Sequence, residues 1–374
     1  MVSSAFNKSS VEPDLSKTVN IAVIGKVSVG KSSLINAFLE KERGNPAVAV
    51  AATAGTTKGI EFLNLGDLLI IDSPGFDDIK AHRSTITENF LKNIDVGILV
   101  VSGAVDATQK NYLSKLKKHS TKVFVVMSKI TDYDPYKHKN GENPTLQQVI
   151  TQWQNALNVD KIYPVCAFGY DEGLPPETEL DIRGVDKLRD DILAYLEQHG
   201  KDLQVKRHLR NKEAHANTII LTASTMAAFA APQFVGSALV MPIQITALQR
   251  MIFLYTGRKF SIKSISTLLN GILVVLVDAG VDGIFLWMQS LLPPNGMTDI
   301  PAAVKGFSIT LALLFSAKLI LANGYDLQDK KRWKSVFQNV LGEIKSLPQN
   351  LTNTDELLER LELLLGDSLE GQLS

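Results

Sequence analysis

The chain has 374 residues, with 39 Lys plus Arg against 39 Asp plus Glu, and a single cysteine, Cys166. Balanced charge gives no electrostatic argument for DNA or RNA as a partner. One cysteine excludes an intramolecular disulfide framework and fits a reducing, intracellular compartment. The length suits two or three domains, and apolar residues are distributed unevenly: residues 19–200 have the mixture of a soluble α/β domain, whereas 214–325 are far more apolar.

Residues 1–18 are polar and Ser-rich, lack the apolar core of a secretory signal, and read as a disordered tail. Val19 to Ile24 is an apolar run that predicts a buried strand. It leads into Gly25-Lys26-Val27-Ser28-Val29-Gly30-Lys31-Ser32, which fits G-x-x-x-x-G-K-[ST], and Ser33 to Leu39 leave it with helical spacing. Strand, glycine loop and helix form the setting in which backbone N–H groups and a helix N-terminus cradle phosphate. Candidate nucleotide contacts are Gly25, Ser28, Val29, Gly30, Lys31, Ser32 and Ser33. Lys31 is the expected bridge between β- and γ-phosphates, and the Ser32 hydroxyl an expected Mg²⁺ ligand.

Residues 44–53 are small and flexible in composition, and strand patterning resumes over 59–65. A Gly66-Asp67 turn precedes a buried strand, Leu68 to Ile71, that ends in Asp72-Ser73-Pro74-Gly75. Buried strands follow at 96–101, 122–127 and 162–165, separated by predicted helices near 110–118 and 146–157 and closed by one over 185–198. This alternation predicts an α/β fold: a mostly parallel sheet with helices on both faces, plus one antiparallel strand from the hairpin.

In order, these motifs resemble the small GTPases, and among them the Era and TrmE group, over residues 19–200. The phosphate loop, Ala54-Gly55-Thr56-Thr57-Lys58 as a first switch, Asp72-Ser73-Pro74-Gly75 as D-x-P-G, and Val165-Cys166-Ala167 as the base-loop strand end carry the resemblance. It implies GTP and GDP as ligands with Mg²⁺ held by Ser32, Thr57 and Asp72. It also implies a γ-phosphate sensed by the Gly75 N–H, and Lys31, Thr57 and Gly75 as the catalytic set. Guanine would meet Ser128, Lys129, Cys166 and the Ala167 N–H. Three positions depart from the family pattern. The base motif reads Ser128-Lys129-Ile130-Thr131 with Asp132 one place late: either the loop shifts so that Asp132 reaches the base, or guanine selectivity is weaker. Phe76 stands where Ras-like enzymes carry the water-positioning glutamine, so hydrolysis is expected to be slow. Ser28 occupies the place that binds K⁺ in potassium-activated relatives, and is either such a ligand or a small loop residue.

Residues 201–217 read as a basic helical connector with Lys206, Arg207, Arg210 and Lys212, open to anionic lipid headgroups or simply solvated. From 218 to 325 three stretches approach the roughly 20 apolar residues of a membrane span: 218–241, interrupted by Pro232; 265–292, with Asp278 and Asp282 on one helical face; and 302–322, with Lys305 and Lys318, whose long side chains are expected to snorkel. Pro293-Pro294-Asn295-Gly296 separates the last two as a turn. This half resembles the helical hydrophobic domain often fused to Era-like GTPases, in Pro242-Ile243-Gln244 with Met251, the 292–296 turn, and the helix ending at Asn323-Gly324-Tyr325. Residues 326–374 return to amphipathic helices, the last expected to be capped by Gly366.

The expectation from sequence is a Mg²⁺-dependent GTP-hydrolysing switch with slow intrinsic turnover, intracellular and membrane-associated, otherwise cytoplasmic. GTP, a lipid bilayer and a protein effector are the expected partners, DNA is not, and a nucleotide-dependent homodimer is a candidate assembly. The competing readings are a nucleotide-binding scaffold with little catalysis, or an RNA- or ribosome-associated assembly GTPase.

Overall fold

Apolar runs long enough to be buried on both faces dictate the first half of the molecule. The computed structural model describes residues 18–48, 61–73, 90, 93–134, 144–170, 174–175, 177–232, 236–278, 300–346 and 353–373. The tail at 1–17, Thr56, Thr57, Gly75, Phe76, Asp282 and the turn at 293–296 lie outside these residues. The chain forms two compact units, Met1–Arg210 and Asn211–Ser374.

Among the described residues of the first unit, strands β1 (Val19–Ile24), β2 (Glu61–Asn64), β3 (Leu68–Ser73), β4 (Ile94–Val101), β5 (Ser120–Met127) and β6 (Tyr163–Pro164) form a sheet in the order β2-β3-β1-β4-β5-β6. All pairs are parallel except β2–β3. Helices α1 (Lys31–Phe38), α2 (Ala107–His119), α3 (Leu146–Leu157) and α4 (Val185–Glu197) cover the sheet. The period-2 alternation of β1 sorts its side chains: Val19, Ile21 and Val23 face a core shared with Leu34 of α1 and Leu188 and Ile192 of α4. Ala22 and Ile24 face the opposite core, with Leu113 and Leu116 of α2 and Trp153 of α3. The predicted α/β class with one antiparallel strand is therefore the observed one.

Two short strands, β7 (Cys166–Phe168) and β8 (Asp181–Arg183), form a separate antiparallel pair that the sequence pattern did not reveal. The unit runs on through Arg210, beyond the boundary expected at 200. A one-turn helix, α5 (Leu203–Lys206), buries Leu203 and Val205, and Leu209 is buried after it. The first ten residues of the expected connector are thus packed against the sheet domain, where Lys206 pairs with Asp202 and Arg207 with Asp67.

The second unit is helical: α6 (Lys212–Ala230), α7 (Gly236–Thr256), α8 (Ile262–Asp278), α9 (Ile300–Ala322), α10 (Lys330–Ser346) and α11 (Thr354–Leu373). Helix α9 packs on α6, α7 and α10. Its approach to α6 depends on Gly306, where a Cβ would lie 2.7 Å from both the Ala227 carbonyl oxygen and the Ala231 Cβ. Two buried polar pairs lie inside the unit: Gln244 Nε2 donates to Thr310 Oγ1 at 3.0 Å, and Trp333 Nε1 to Ser316 Oγ at 2.9 Å.

Three expectations change here. The span read over 218–241 is not one helix, because α6 ends at Ala230 and α7 starts at Gly236. Lys318 does not snorkel: it is 2% exposed and donates to Asn217 Oδ1 at 2.9 Å, to Glu213 Oε1 at 2.9 Å and to Glu362. Gly366 does not cap α11, which continues to Leu373. Asp278 ends α8, while 302–322 coincides with α9. Among the described residues two helices are long and apolar enough to cross a membrane, with Leu239–Thr256 and Ala302–Ala322 as their apolar windows.

Candidate functional site

The site is built where β1 ends between β3 and β4. Parallel pairing sets Val23 beside Asp72 and Ile24 beside both Ser73 and Leu99. Gly25 must be glycine, because a Cβ there would collide with the Val100 carbonyl oxygen. The loop then turns through two left-handed residues, Ser28 (φ 64) and Gly30 (φ 88), and α1 begins at Lys31. A left-handed serine is uncommon and marks a loop held in shape by its surroundings. The first turn of α1 contains no acidic residue, so its N-terminal partial positive charge is left for an anion.

Lys31 curls back inside the loop. Its Nζ donates to the Lys26 carbonyl at 3.1 Å and lies 3.8 Å from Asp72 Oδ1, and the side chain is 6% exposed. Ser32 Oγ donates to Asp72 Oδ2 at 2.6 Å. Burial lowers the Lys31 pKa despite the nearby carboxylate, and burial raises that of Asp72 despite Lys31 and Ser32. Both shifts express one fact: charges enclosed here lack solvent. Ser33 is buried behind Ser32, and Val29 is buried beneath the loop.

Divalent-cation binding has a fitting donor set. Asp72 Oδ1 is buried without a hydrogen bond, and beside it stands the Ser32 hydroxyl; both are hard oxygen ligands of the kind Mg²⁺ takes. Among the described residues no cluster of three or more His, Cys, Asp and Glu that could hold a metal ion is present.

The expected base-reading residues also converge. Ser128 is buried; its Oγ donates to the Val29 carbonyl, tying this strand end to the phosphate loop, and its N–H donates to Val101 O at 2.9 Å. Lys129 is left-handed (φ 58) and starts a 3₁₀ turn over Ile130–Tyr133 that carries Asp132. The Val165 N–H donates to Met127 O at 2.8 Å and that of Ile130 to Val165 O at 3.4 Å, which brings Cys166 and Ala167 beside the turn. The Cys166 thiol is buried, and burial pushes its pKa up.

Several polar groups near these residues escaped the sequence reading. Lys26, within the phosphate loop, pairs with Asp106, the N-cap of α2, and this bond holds the Asp106 carboxyl down to about 2. Asp106-Ala107-Thr108 was a legible cap signal, since Asp106 accepts from the Thr108 N–H at 2.6 Å; its partner 80 residues away was not. Glu61 stands opposite Asp72 across β2–β3, and burial followed by repulsion from Asp72 raises its pKa. Arg183 on β8 grips Asp134, just past the 3₁₀ turn, through two nitrogens at 3.1 and 2.9 Å.

Residues 20–129 match the family described as 50S ribosome-binding GTPase. The chain is 28% identical over 124 residues to GTPase Der of Nitratiruptor sp., covering 30% of this chain and 27% of that protein. It is 32% identical over 122 residues to "Probable GTP-binding protein EngB" of Caldanaerobacter subterraneus, covering 30% and 60%. To GTPase Era of Stenotrophomonas maltophilia it is 29% identical over 136 residues, covering 35% and 45%. The chain thus spans between 27% and 60% of the length of these relatives. The family match ends at residue 129, before the helical unit begins.

Proposed function

We propose that this protein binds GTP and hydrolyses it to GDP and phosphate, as a nucleotide-dependent switch. The observation that carries the reading is the convergence of Lys31 and Ser32, at the end of the glycine loop, on Asp72 at the end of β3. The GTPase match over residues 20–129 supports the same choice of nucleotide.

In this reading Lys31 and the loop N–H groups bind the β- and γ-phosphates and take up charge as it develops. Water attacks the γ-phosphorus, the bond to the β–γ bridging oxygen breaks, and GDP leaves after phosphate. Ser32 and Asp72, with Thr57, would hold Mg²⁺, which would supply charge neutralisation when bound. Thr57 and Gly75 are the proposed γ-phosphate sensors that relax after hydrolysis. Lys129 and Ala167 contact guanine, and Asp132 is the acid available to accept from its N–H groups. Phe76 offers no hydrogen bond to the attacking water, so turnover is slow without a partner or K⁺ at Ser28. The test is Mg²⁺-dependent GTP hydrolysis by the purified protein. Lys31→Ala should weaken GTP binding by about 10- to 150-fold, the range for one charge-assisted hydrogen bond. Fast turnover in sodium buffer would show that another group positions the water, and no GTP binding at all would refute the reading.

A second element of the proposal is contact with a lipid bilayer through α7. Only 44% of the apolar window Leu239–Thr256 is buried within the protein, against 83% of Ala302–Ala322. Leu239 and Pro242 are exposed near the start of α7 and Ile243 is partly so, and apolar residues left facing outward are a candidate contact site. Flotation with anionic liposomes tests this.

A further inference from the structure

The basic segment 201–210 finds most of its partners inside the first unit. Arg207 NH1 and His208 Nε2 both meet Asp67 Oδ1, at 2.9 and 2.7 Å. Lys201 Nζ meets Asp95 Oδ1, at the start of β4, at 2.6 Å. The Arg210 N–H donates to Glu40 Oε2 at 2.9 Å, and Lys206 is held by Asp202 at 2.7 Å. Arg207 and His208 are each partly enclosed, their side chains 22% and 15% exposed. The Asp67 pair is therefore no loose surface contact.

Asp67 occupies the turn of the β2–β3 hairpin, and its backbone oxygen accepts from the Val19 N–H at 2.9 Å. At the opposite end of that hairpin, Glu61 and Asp72 lie in register beside Lys31 and Ser32. The hairpin is the stretch of chain between the two proposed γ-phosphate contacts, Thr57 and Gly75. Among the described strands β2 is at the sheet edge, paired with β3. A pull on either flank is borne by a hairpin whose turn holds the segment leading into the second unit.

We propose that the Asp67–Arg207–His208 clasp carries the nucleotide state from the β2–β3 hairpin to residues 203–210, the last of the first unit. This rests on the GTP-binding reading of the phosphate loop. Asp67 Oδ2 is buried without a hydrogen bond, so the carboxylate depends on the two partners at its other oxygen. Loss of those partners leaves a buried carboxylate uncompensated.

Hydrogen exchange of the full-length protein, saturated in turn with GDP–Mg²⁺ and a non-hydrolysable GTP analogue with Mg²⁺, tests the clasp. Peptides covering 203–210 should exchange at rates that differ several-fold between the two states. Asp67→Asn should abolish that difference while nucleotide affinity changes less than about threefold, and His208→Gln should reduce it if Asp67→Asn fails to fold. Lys201→Met, which cuts the anchor outside the hairpin, should preserve it. Equal exchange in both nucleotide states, or an equal effect of Lys201→Met, overturns the inference while leaving nucleotide binding intact. Failure to bind either nucleotide overturns the functional reading and this inference with it.

Discussion

Gly25 illustrates how little freedom single positions have at the phosphate loop. Its absent Cβ leaves room for the Val100 carbonyl, so Gly25→Ala must displace either the loop or β4. GTP affinity should fall by at least about tenfold and the melting temperature should fall with it, measured by titration calorimetry and thermal unfolding. Asp132 tests base reading: Asp132→Ala should cost about 1.5–3 kcal/mol of GTP affinity and leave ATP binding unchanged if its carboxylate accepts from guanine. Equal losses for both nucleotides would remove it from that role. Asp67 gives a pH test. Burial alone would raise its pKa, but the bonds from His208 and Arg207 outweigh burial and hold it below the ordinary value of 3.8. A depressed carboxylate pKa contributes stability that is present above the unfolded value and is lost as pH falls through the folded one. Wild type should therefore exceed Asp67→Asn in urea stability at about pH 7, and the gap should narrow towards about pH 3.

At the level of elements, what was legible in the sequence follows from locality. The strands at the centre of the sheet are runs of buried Val, Ile and Leu, and α3 carries its own capping box at Thr145 and Gln148, so both were readable from neighbours in sequence. The β7–β8 pair was not, because strands of three residues leave no periodicity to count. Lys26, Ser128 and Lys318 find partners 80, 99 and 101 residues away, which no local pattern encodes. The phosphate loop was legible for the opposite reason: its chemistry requires consecutive residues. Lys318 also supplies an asymmetric prediction. Its ammonium is buried against Glu213 and Glu362, whose side chains are 60% and 30% exposed. Lys318→Met removes the buried charge at similar volume and should be neutral or stabilising. Glu362→Leu removes one of the lysine's two carboxylates, leaving Glu213 and Asn217, and should cost about 1–3 kcal/mol. Chemical denaturation of both variants checks the order, and the reverse order would place the lysine's charge in contact with water.

For the whole molecule, the apolar second unit admits two arrangements that bury the same residues differently. In a water-soluble bundle α9 is the central helix, and its enclosure by α6, α7 and α10 suffices to explain its composition. That leaves α7, where Leu239 and Pro242 are exposed and Ile243 is partly so, as the surface offered to lipid. The two arrangements respond oppositely to charge. If α7 lies against or within a bilayer, the double change Leu239→Lys and Ile243→Lys should sharply reduce liposome flotation, since a central lysine costs about 2.5–3.5 kcal/mol on insertion scales. GTP hydrolysis should be unaffected. If α7 faces water, the same double change should leave flotation at background, as in wild type, and shift stability by no more than about 1 kcal/mol in total, as surface substitutions do. Resistance of wild-type flotation to high salt then distinguishes apolar insertion from attraction of exposed lysines to anionic headgroups, which salt screens.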